Sequence, residues 1–299
     1  MGRMRILVCG AQGRLGRALG CAELPEGTAL TGLGRQQLDI TDPDAVERAL
    51  DRDSWSLVIN AAAYTAVDRA ESERDAAFAV NGTGPAHLAR ACATRGVPLI
   101  HISTDYVFDG TAPDPYPEDH PMAPLSVYGA SKAAGEEAVR SLNPDHAIMR
   151  VSWLYGGQGG DFVRAIAGAI RAGRHLRVVS DQTGALTHAD CVAQAALALG
   201  AKMVNEGLER GTYHFAASGA ANWHEIAAVI LAEMVQLGYK KVPLEAITAT
   251  EYGLPAVRPA NSRLDCGKFD RLVGLPRPHW QTMLVPQLRR ILSEQGERI

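Results

Sequence analysis

An apolar run, Ile6-Leu-Val-Cys9, passes directly into Gly10-Ala-Gln-Gly13-Arg-Leu-Gly16 and then into an alanine-, leucine- and arginine-bearing stretch. The run reads as a short strand buried on both faces, and the Gly-x-x-Gly-x-x-Gly spacing as a tight turn that opens a helix. Each glycine answers a steric demand. The chain must turn sharply, backbone must come close to a pyrophosphate, and the helix must pack against the strand. The helix amino terminus adds free N–H groups and a favourable dipole for the anion. Such a start, with the alternation of strand and helix that continues through residue 151, predicts a Rossmann-type, doubly wound parallel sheet of the α/β class with a smaller, mostly C-terminal substrate-binding lobe. Gly10, Gln12, Gly13, Arg14, Leu15 and Gly16 are then the candidate cradle of a dinucleotide.

The next strand, Ala29 to Leu33, ends in Gly32-Leu-Gly34-Arg35 with no acid to bond the ribose hydroxyls of NAD. Arg35 is available for a 2′-phosphate, which predicts NADPH over NADH. The alternative, Arg35 as a solvated loop charge, stays open. Asp42-Pro43 is a cap and first position of a helix, which sets Asp39 and Ile40 near the adenine. Ser56–Ile59 is a third strand. Ala62, Ala63, Tyr64 and Thr65 follow it at the carboxyl edge, mostly small, leaving room for ribose and phosphates. A helix over 72–94, interrupted near Gly82-Thr-Gly-Pro85, leads to a fourth strand opening at Val97, and Ala147–Val151 is a fifth.

The fourth strand delivers Ser103, Thr104 and Asp105 to the edge where ligands bind in an open α/β sheet. Tyr128-Gly-Ala-Ser-Lys132 follows in a helix-favouring stretch, so the tyrosine and lysine share a helix face. There the ammonium can favour the phenolate and lower the tyrosine from about 10 towards neutrality, giving a proton donor. An isolated Tyr-x-x-x-Lys is an ordinary surface pair; the hydroxyls upstream and the glycine turn give this one its functional reading. The proline-rich loop between Asp105 and Tyr128 is too long for a plain connection. Trp153, after the fifth strand, reads either as a stacking partner for a substrate ring or as a partly buried core residue.

Beyond residue 156 helices are expected at 161–172, 190–200, 223–236 and 279–294, with short strands at Val178-Val179 and Tyr213–Phe215. The division expected is a dinucleotide-binding domain over 1–156 plus roughly 176–202, and a smaller substrate-binding lobe over roughly 157–175 and 203–299. Asp181-Gln-Thr-Gly184 and Arg258-Pro-Ala-Asn-Ser262 are polar loops that line a ligand pocket or simply connect elements.

With 299 residues the chain can build a full core, and a net charge of −3 with interspersed signs excludes a nucleic-acid groove. Five scattered cysteines, in no Cys-x-x-Cys pair, read as reduced thiols filling core space in a cytoplasmic protein. No signal-peptide core and no run of about 18 apolar residues is present, so no membrane span is expected. No metal site is read from the sequence.

In Asn60-Ala-Ala-Ala-Tyr-Thr-Ala-Val-Asp68, Ser103-Thr-Asp-Tyr-Val-Phe-Asp-Gly110, Tyr128-Gly-Ala-Ser-Lys-Ala-Ala-Gly-Glu136 and Ser152-Trp-Leu-Tyr-Gly156, with the two polar loops above, the chain resembles the dTDP-4-dehydrorhamnose reductases of the extended short-chain dehydrogenase/reductase superfamily. The resemblance covers nearly the whole length. It implies NADPH-dependent reduction of the C4 ketone of a nucleotide sugar, dTDP-4-dehydro-L-rhamnose. By it, Tyr128, Lys132 and Thr104 are catalytic, with Lys132 also on the nicotinamide ribose. Ser103, Tyr128 and Lys132 touch the cofactor, and Thr104, Asp105, Val107 and Trp153 touch the substrate. It implies a monomer or homodimer. Some members are bridged by magnesium on acidic side chains, but Arg14-Leu15 opens the first helix here without an acid. The family usually accepts NADH as well, which makes Arg35 a bias. Two rivals share the resemblance: a non-catalytic NADP-binding partner like the methionine adenosyltransferase β subunit, and a nucleotide-sugar epimerase or dehydratase that retains NAD.

Overall fold

The computed structural model describes residues 4–157 and 159–294. Strand β1 (Met4–Cys9) is followed by α1 (Arg14–Cys21), β2 (Thr28–Leu33), α2 (Pro43–Leu50), β3 (Leu57–Asn60) and the short α3 (Val67–Ala70) and α4 (Arg74–Phe78). A π-helical turn, Ala79–Thr83, joins α4 to α5 (Gly84–Arg95), and β4 (Leu99–Thr104), α6 (Val127–Leu142) and β5 (His146–Val151) complete the first half. The second half runs β6 (Leu154–Tyr155), α7 (Phe162–Arg171), β7 (Leu176–Val179), β8 (Thr183–Gly184), β9 (Thr187–His188), α8 (Ala189–Asn205) and β10 (Gly211–Phe215). It ends with β11 (Ala221–Asn222), α9 (Trp223–Gln236), β12 (Leu244–Ile247), α10 (Ala249–Tyr252), α11 (Gly267–Leu272) and α12 (Trp280–Glu294).

Six strands form one sheet in the order β10-β5-β4-β3-β1-β2, with every pairing parallel. Alternation along β1 explains its two covers. Ile6 and Val8 pack with residues of α1 and α8, whereas Leu7 and Cys9 pack with residues of α2 and α5. Helices on both faces are what an all-parallel sheet requires, and its strands accordingly read as continuous apolar runs. The strand order reverses between β1 and β3, so the ligand crevice falls at their carboxyl ends.

The expected helix cap is present: Asp42 accepts from the Asp44 N–H ahead of Pro43. The interruption expected near Gly82 is the π turn, and Pro85, which has no N–H to donate, falls directly after it at the start of α5. Asn81, inside that turn, is wholly buried. Its side chain accepts from the Tyr64 N–H at 2.8 Å and donates to Ser131 Oγ at 2.9 Å, tying the segment after β3 to α6. A Cβ on Gly135 would stand 2.1 Å from the Asn81 carbonyl, which is why α6 carries glycine at that crossing.

A second apolar cluster, separate from the two covering the sheet, joins α7, β7, α9 and α12. Strand pairing distributes the second half differently from the expected division. β7 pairs with β12 beside this second cluster, while β10, in a stretch expected to belong to the lobe, pairs with β5 as the edge of the main sheet. α11 also returns, burying Phe269 against Phe215. Cys9, Cys92 and Cys266 are buried thiols as expected, but Cys21, at the end of α1, is exposed rather than in the core.

Candidate active site

The crevice is a cavity of about 600 Å³ that begins at the glycine turn and runs over the ends of β3, β4 and β5 to α7 and Trp223. The turn is built by close backbone approach. A Cβ on Gly10, whose φ is +79°, would stand 2.6 Å from the Ala62 backbone, and one on Gly16 would stand 2.2 Å from the Gly10 carbonyl. The glycines at the end of β2 serve the same turn, since Gly34 lies under the Gln12 side chain and Gly32 under Ala11. α1 opens after Gly13 with no side chain capping it, which leaves first-turn N–H groups available to an anionic ligand.

Gly10, Gln12, Gly13, Arg14 and Leu15 line this cavity, as do Arg35, Asp39, Ile40 and Ala62 to Thr65. Gly16 does not; its part is the close packing of α1 onto the turn. Arg14 has a second use. Its guanidinium donates to the carbonyls of Leu154, Gly156 and Gly160 at 2.7–3.0 Å, fastening the glycine turn to the chain that leaves β5. Arg35 pairs with Asp39 at 3.1 Å and is largely exposed, so its guanidinium is held at the cavity rim.

Ser103, Thr104, Asp105, Tyr128, Lys132 and Trp153 also line the cavity, brought together by the end of β4 and the first turns of α6. Thr104 Oγ1 donates to Asp105 Oδ1 at 2.9 Å and accepts from the Tyr106 N–H. Burial pushes Asp105 up to about 6, opposed by hydroxyls of Ser262, Thr104 and Ser152. Val107, expected at the substrate, is wholly buried in a cluster with Phe108 and Tyr116 and does not line the cavity. Asp105–Val107 is a 3₁₀ turn, and it carries the Val107 side chain into the core rather than into the cavity.

The titration expected of Tyr128 is corrected. Burial pushes its phenol up to about 12, with Thr104 opposing and Asp105 adding to the rise. Lys132 is not among the groups that act on the phenol, and its Nζ donates to the Ile102 carbonyl at 2.6 Å. Burial in turn brings Lys132 down to about 8, against the favourable charge of Glu136. Desolvation outweighs the charge pair in this geometry.

Trp153 has φ +44°, the one non-glycine in the left-handed region among the described residues. Its ring stacks on Trp223 at 3.7 Å between centroids, and Gly184 leaves the space that a Cβ would take, 2.5 Å from the ring. Trp223 in turn donates to Gln182. Trp223, Tyr106 and Phe162 line the cavity without having been singled out from the sequence. The Asp181–Gly184 loop, which holds the two tryptophans, was the available signal. Of the other polar loop, Arg258 binds both oxygens of Asp68, and Asn261 donates to the carbonyls of Ala112 and Asp114, fastening the long loop after β4. A second cavity of about 550 Å³ lies beyond Trp223, bounded by Arg177, Tyr252, Val257 and Arg258.

Fold and site together define a nicotinamide-dinucleotide oxidoreductase of the short-chain type, with a Tyr-x-x-x-Lys pair facing a glycine-turn cofactor groove. The sequence profile of the RmlD substrate-binding domain matches residues 4–293, and the chain belongs to that family. It is 41% identical over 280 residues to the dTDP-4-dehydrorhamnose reductase of Sinorhizobium fredii, covering 93% of this chain and 94% of that one. The reductase of Streptomyces griseus is 40% identical over 299 residues, covering 99% and 97% of the two chains. The crystal structure of the Bacillus anthracis reductase in complex with NADP matches with a TM-score of 0.87 at 34% identity, over 98% of this chain and 100% of that one.

Proposed function

We propose that this chain reduces the C4 ketone of dTDP-4-dehydro-L-rhamnose with NADPH, forming dTDP-L-rhamnose. The observation that carries the reading is the convergence of Thr104, Tyr128 and Lys132 on one cavity that also contains the glycine turn. The NADP bound by the similar Bacillus anthracis enzyme supports the choice of cofactor.

The groove fits a dinucleotide because the start of α1 is uncapped and the glycine clearances let backbone reach a diphosphate. Gly10 to Leu15 would hold the diphosphate, Arg35 the 2′-phosphate, Asp39 and Ile40 the adenine side, and Ala62 to Thr65 with Ser103 the riboses. NADPH, when bound, supplies the hydride. Tyr128 holds its proton throughout the neutral range, because a phenol at about 12 stays protonated there. It is the donor to the ketone oxygen as negative charge develops, a role worth about 10²–10⁴-fold. Thr104 orients the phenol, Lys132 reaches the ribose, and Asp105 and Trp153 contact the sugar. Val107 supports this shell from the core.

The test is NADPH oxidation followed by absorbance with dTDP-4-dehydro-L-rhamnose supplied and the product identified. Stoichiometric oxidation with dTDP-L-rhamnose formed is expected. Tyr128→Phe is expected to lose at least about 100-fold in kcat while still binding NADPH. Tight NADP binding without turnover would mark a partner protein, and sugar conversion without net oxidation would mark an epimerase or dehydratase.

Cofactor preference is a separate expectation. Arg35→Ala should raise KM for NADPH and leave KM for NADH unchanged; equal effects on both would remove Arg35 from the 2′-phosphate site. We also propose that the cofactor unit comprises the segment through β5 with α8, β10 and α11, and that the substrate lobe comprises the remainder. No described helix is long and apolar enough to cross a membrane. A cytoplasmic monomer or homodimer fits the reading, and light scattering on the purified protein separates the two states.

A further inference from the structure

Asn60 at the end of β3, His101 on β4 and Lys132 on α6 form a buried polar chain, with exposures of 0%, 0% and 2%, of which the proposed reaction uses only the lysine. Asn60 Oδ1 accepts from the Ala62 N–H at 3.1 Å, which fixes the end of the amide that meets the histidine. The amide nitrogen lies 3.0 Å from His101 Nδ1. An amide nitrogen only donates, so Nδ1 is bare. Burial keeps the ring neutral. A neutral ring bare at Nδ1 carries its proton on Nε2, and Nε2 lies 3.4 Å from Lys132 Nζ.

Lys132 Nζ therefore has a carbonyl acceptor on one side, Ile102 at 2.6 Å, and an N–H on the other. An amine satisfies both, accepting from Nε2–H on its lone pair and donating to the carbonyl. An ammonium has no lone pair and would set N–H against N–H. We propose that Asn60 and His101 decide the charge on Lys132, the amide locking the imidazole in the tautomer that favours the amine over the ammonium. Both are positioning residues acting through the lysine.

The charged neighbours are few. Glu136, one turn along α6, favours the ammonium, but it is itself bound by Arg150 from β5 and by Arg140. Tyr128 lies one turn the other way on α6, and Asp105, after β4, acts on that phenol. From the π turn packed on α6 the neighbour is the uncharged Asn81, bonded to Ser131. The imidazole is thus the titratable group that the sheet sets against the lysine, beside the Ile102 carbonyl.

The inference rests on the proposed function only for its catalytic consequence, and its test needs no turnover. Protein carrying ¹⁵N-histidine and ¹³C-lysine is examined by NMR without added cofactor, with Lys132 identified by its loss in Lys132→Gln. The long-range ¹H–¹⁵N spectrum is expected to show His101 protonated at Nε2 and bare at Nδ1; the reverse in the unaltered protein would overturn the proposal. Asn60→Asp puts an acceptor against Nδ1, draws the proton there and leaves Nε2 bare, so the proton affinity of Lys132 should rise about tenfold or more, one pH unit in its midpoint. Asn60→Leu removes the donor without adding charge, and a rise is expected there too. A rise in Asn60→Asp alone would be the effect of the new carboxylate, and an unmoved midpoint in both would equally refute the tautomer lock. The tautomer of the unaltered protein decides the matter if neither variant folds.

Discussion

Burial moves two acids of the site in the same direction, Tyr128 to about 12 and Asp105 to about 6. For Asp105 this has a consequence for stability. Its carboxyl is raised from 3.8 to about 6 on folding, so the folded chain binds a proton that the unfolded chain releases within that window. Its contribution is fully present below the lower value and is lost as pH rises through the upper one, by up to about 3 kcal/mol. Asp105→Asn should remove that loss. Denaturant unfolding at about pH 4 and about pH 7 should show wild type losing stability relative to the variant at the higher pH, and parallel curves would refute the assignment. Thr104, Tyr128 and Lys132 were legible in the sequence because a four-residue spacing on a helix and a strand end fix their placement. The direction of the phenol's shift was not legible, since spacing places the lysine on the right face without saying which acceptor it takes. His101 and Trp223 were hidden for a related reason, because their partners, Asn60 and Lys132 for the one and Trp153 and Gln182 for the other, are distant in sequence and no local pattern records such contacts.

At the scale of the element, glycine spacing was the most informative feature, because close approach leaves no other residue a choice. A Cβ at Gly16 meets two backbone groups of the turn, the Gly10 carbonyl and Ala11 Cα at 2.6 Å, neither of which can move without opening it. Gly16→Ala is therefore expected to weaken NADPH binding at least about tenfold, read by fluorescence titration, while the far-ultraviolet circular dichroism stays that of the parent. Unchanged affinity would mean that α1 can shift without cost. The helix over 72–94 was legible in extent but not in kind. Its π turn exists because Asn81 must turn inward to bond Tyr64 and Ser131, a tertiary demand. Trp153 is comparable, since its left-handed backbone is maintained by Trp223 and Gly184 from the second cluster.

For the whole molecule, the alternation of strand and helix through β5 made the sheet predictable, whereas the second half crosses repeatedly between sheet and lobe. The chain leaves after β5, returns for α8 and β10, leaves again for α9 and β12, and returns for α11. Sequence order alone could not apportion those crossings, as short apolar strands look alike in either unit. β10 illustrates what the crossings cost a fragment. It covers β5 with parallel pairing from Gly211↔Ala147 to Phe215↔Val151, and every residue of β5 is buried. A piece ending at residue 156 would hold the whole glycine turn, Tyr128 and Lys132, yet would present β5 as a bare apolar edge ready to pair with another copy. Such a fragment is expected to precipitate on expression, and sedimentation of the lysate reads the outcome directly. The catalytic half of the sequence is thus not a portable module: its solubility is lent by a strand made some sixty residues later.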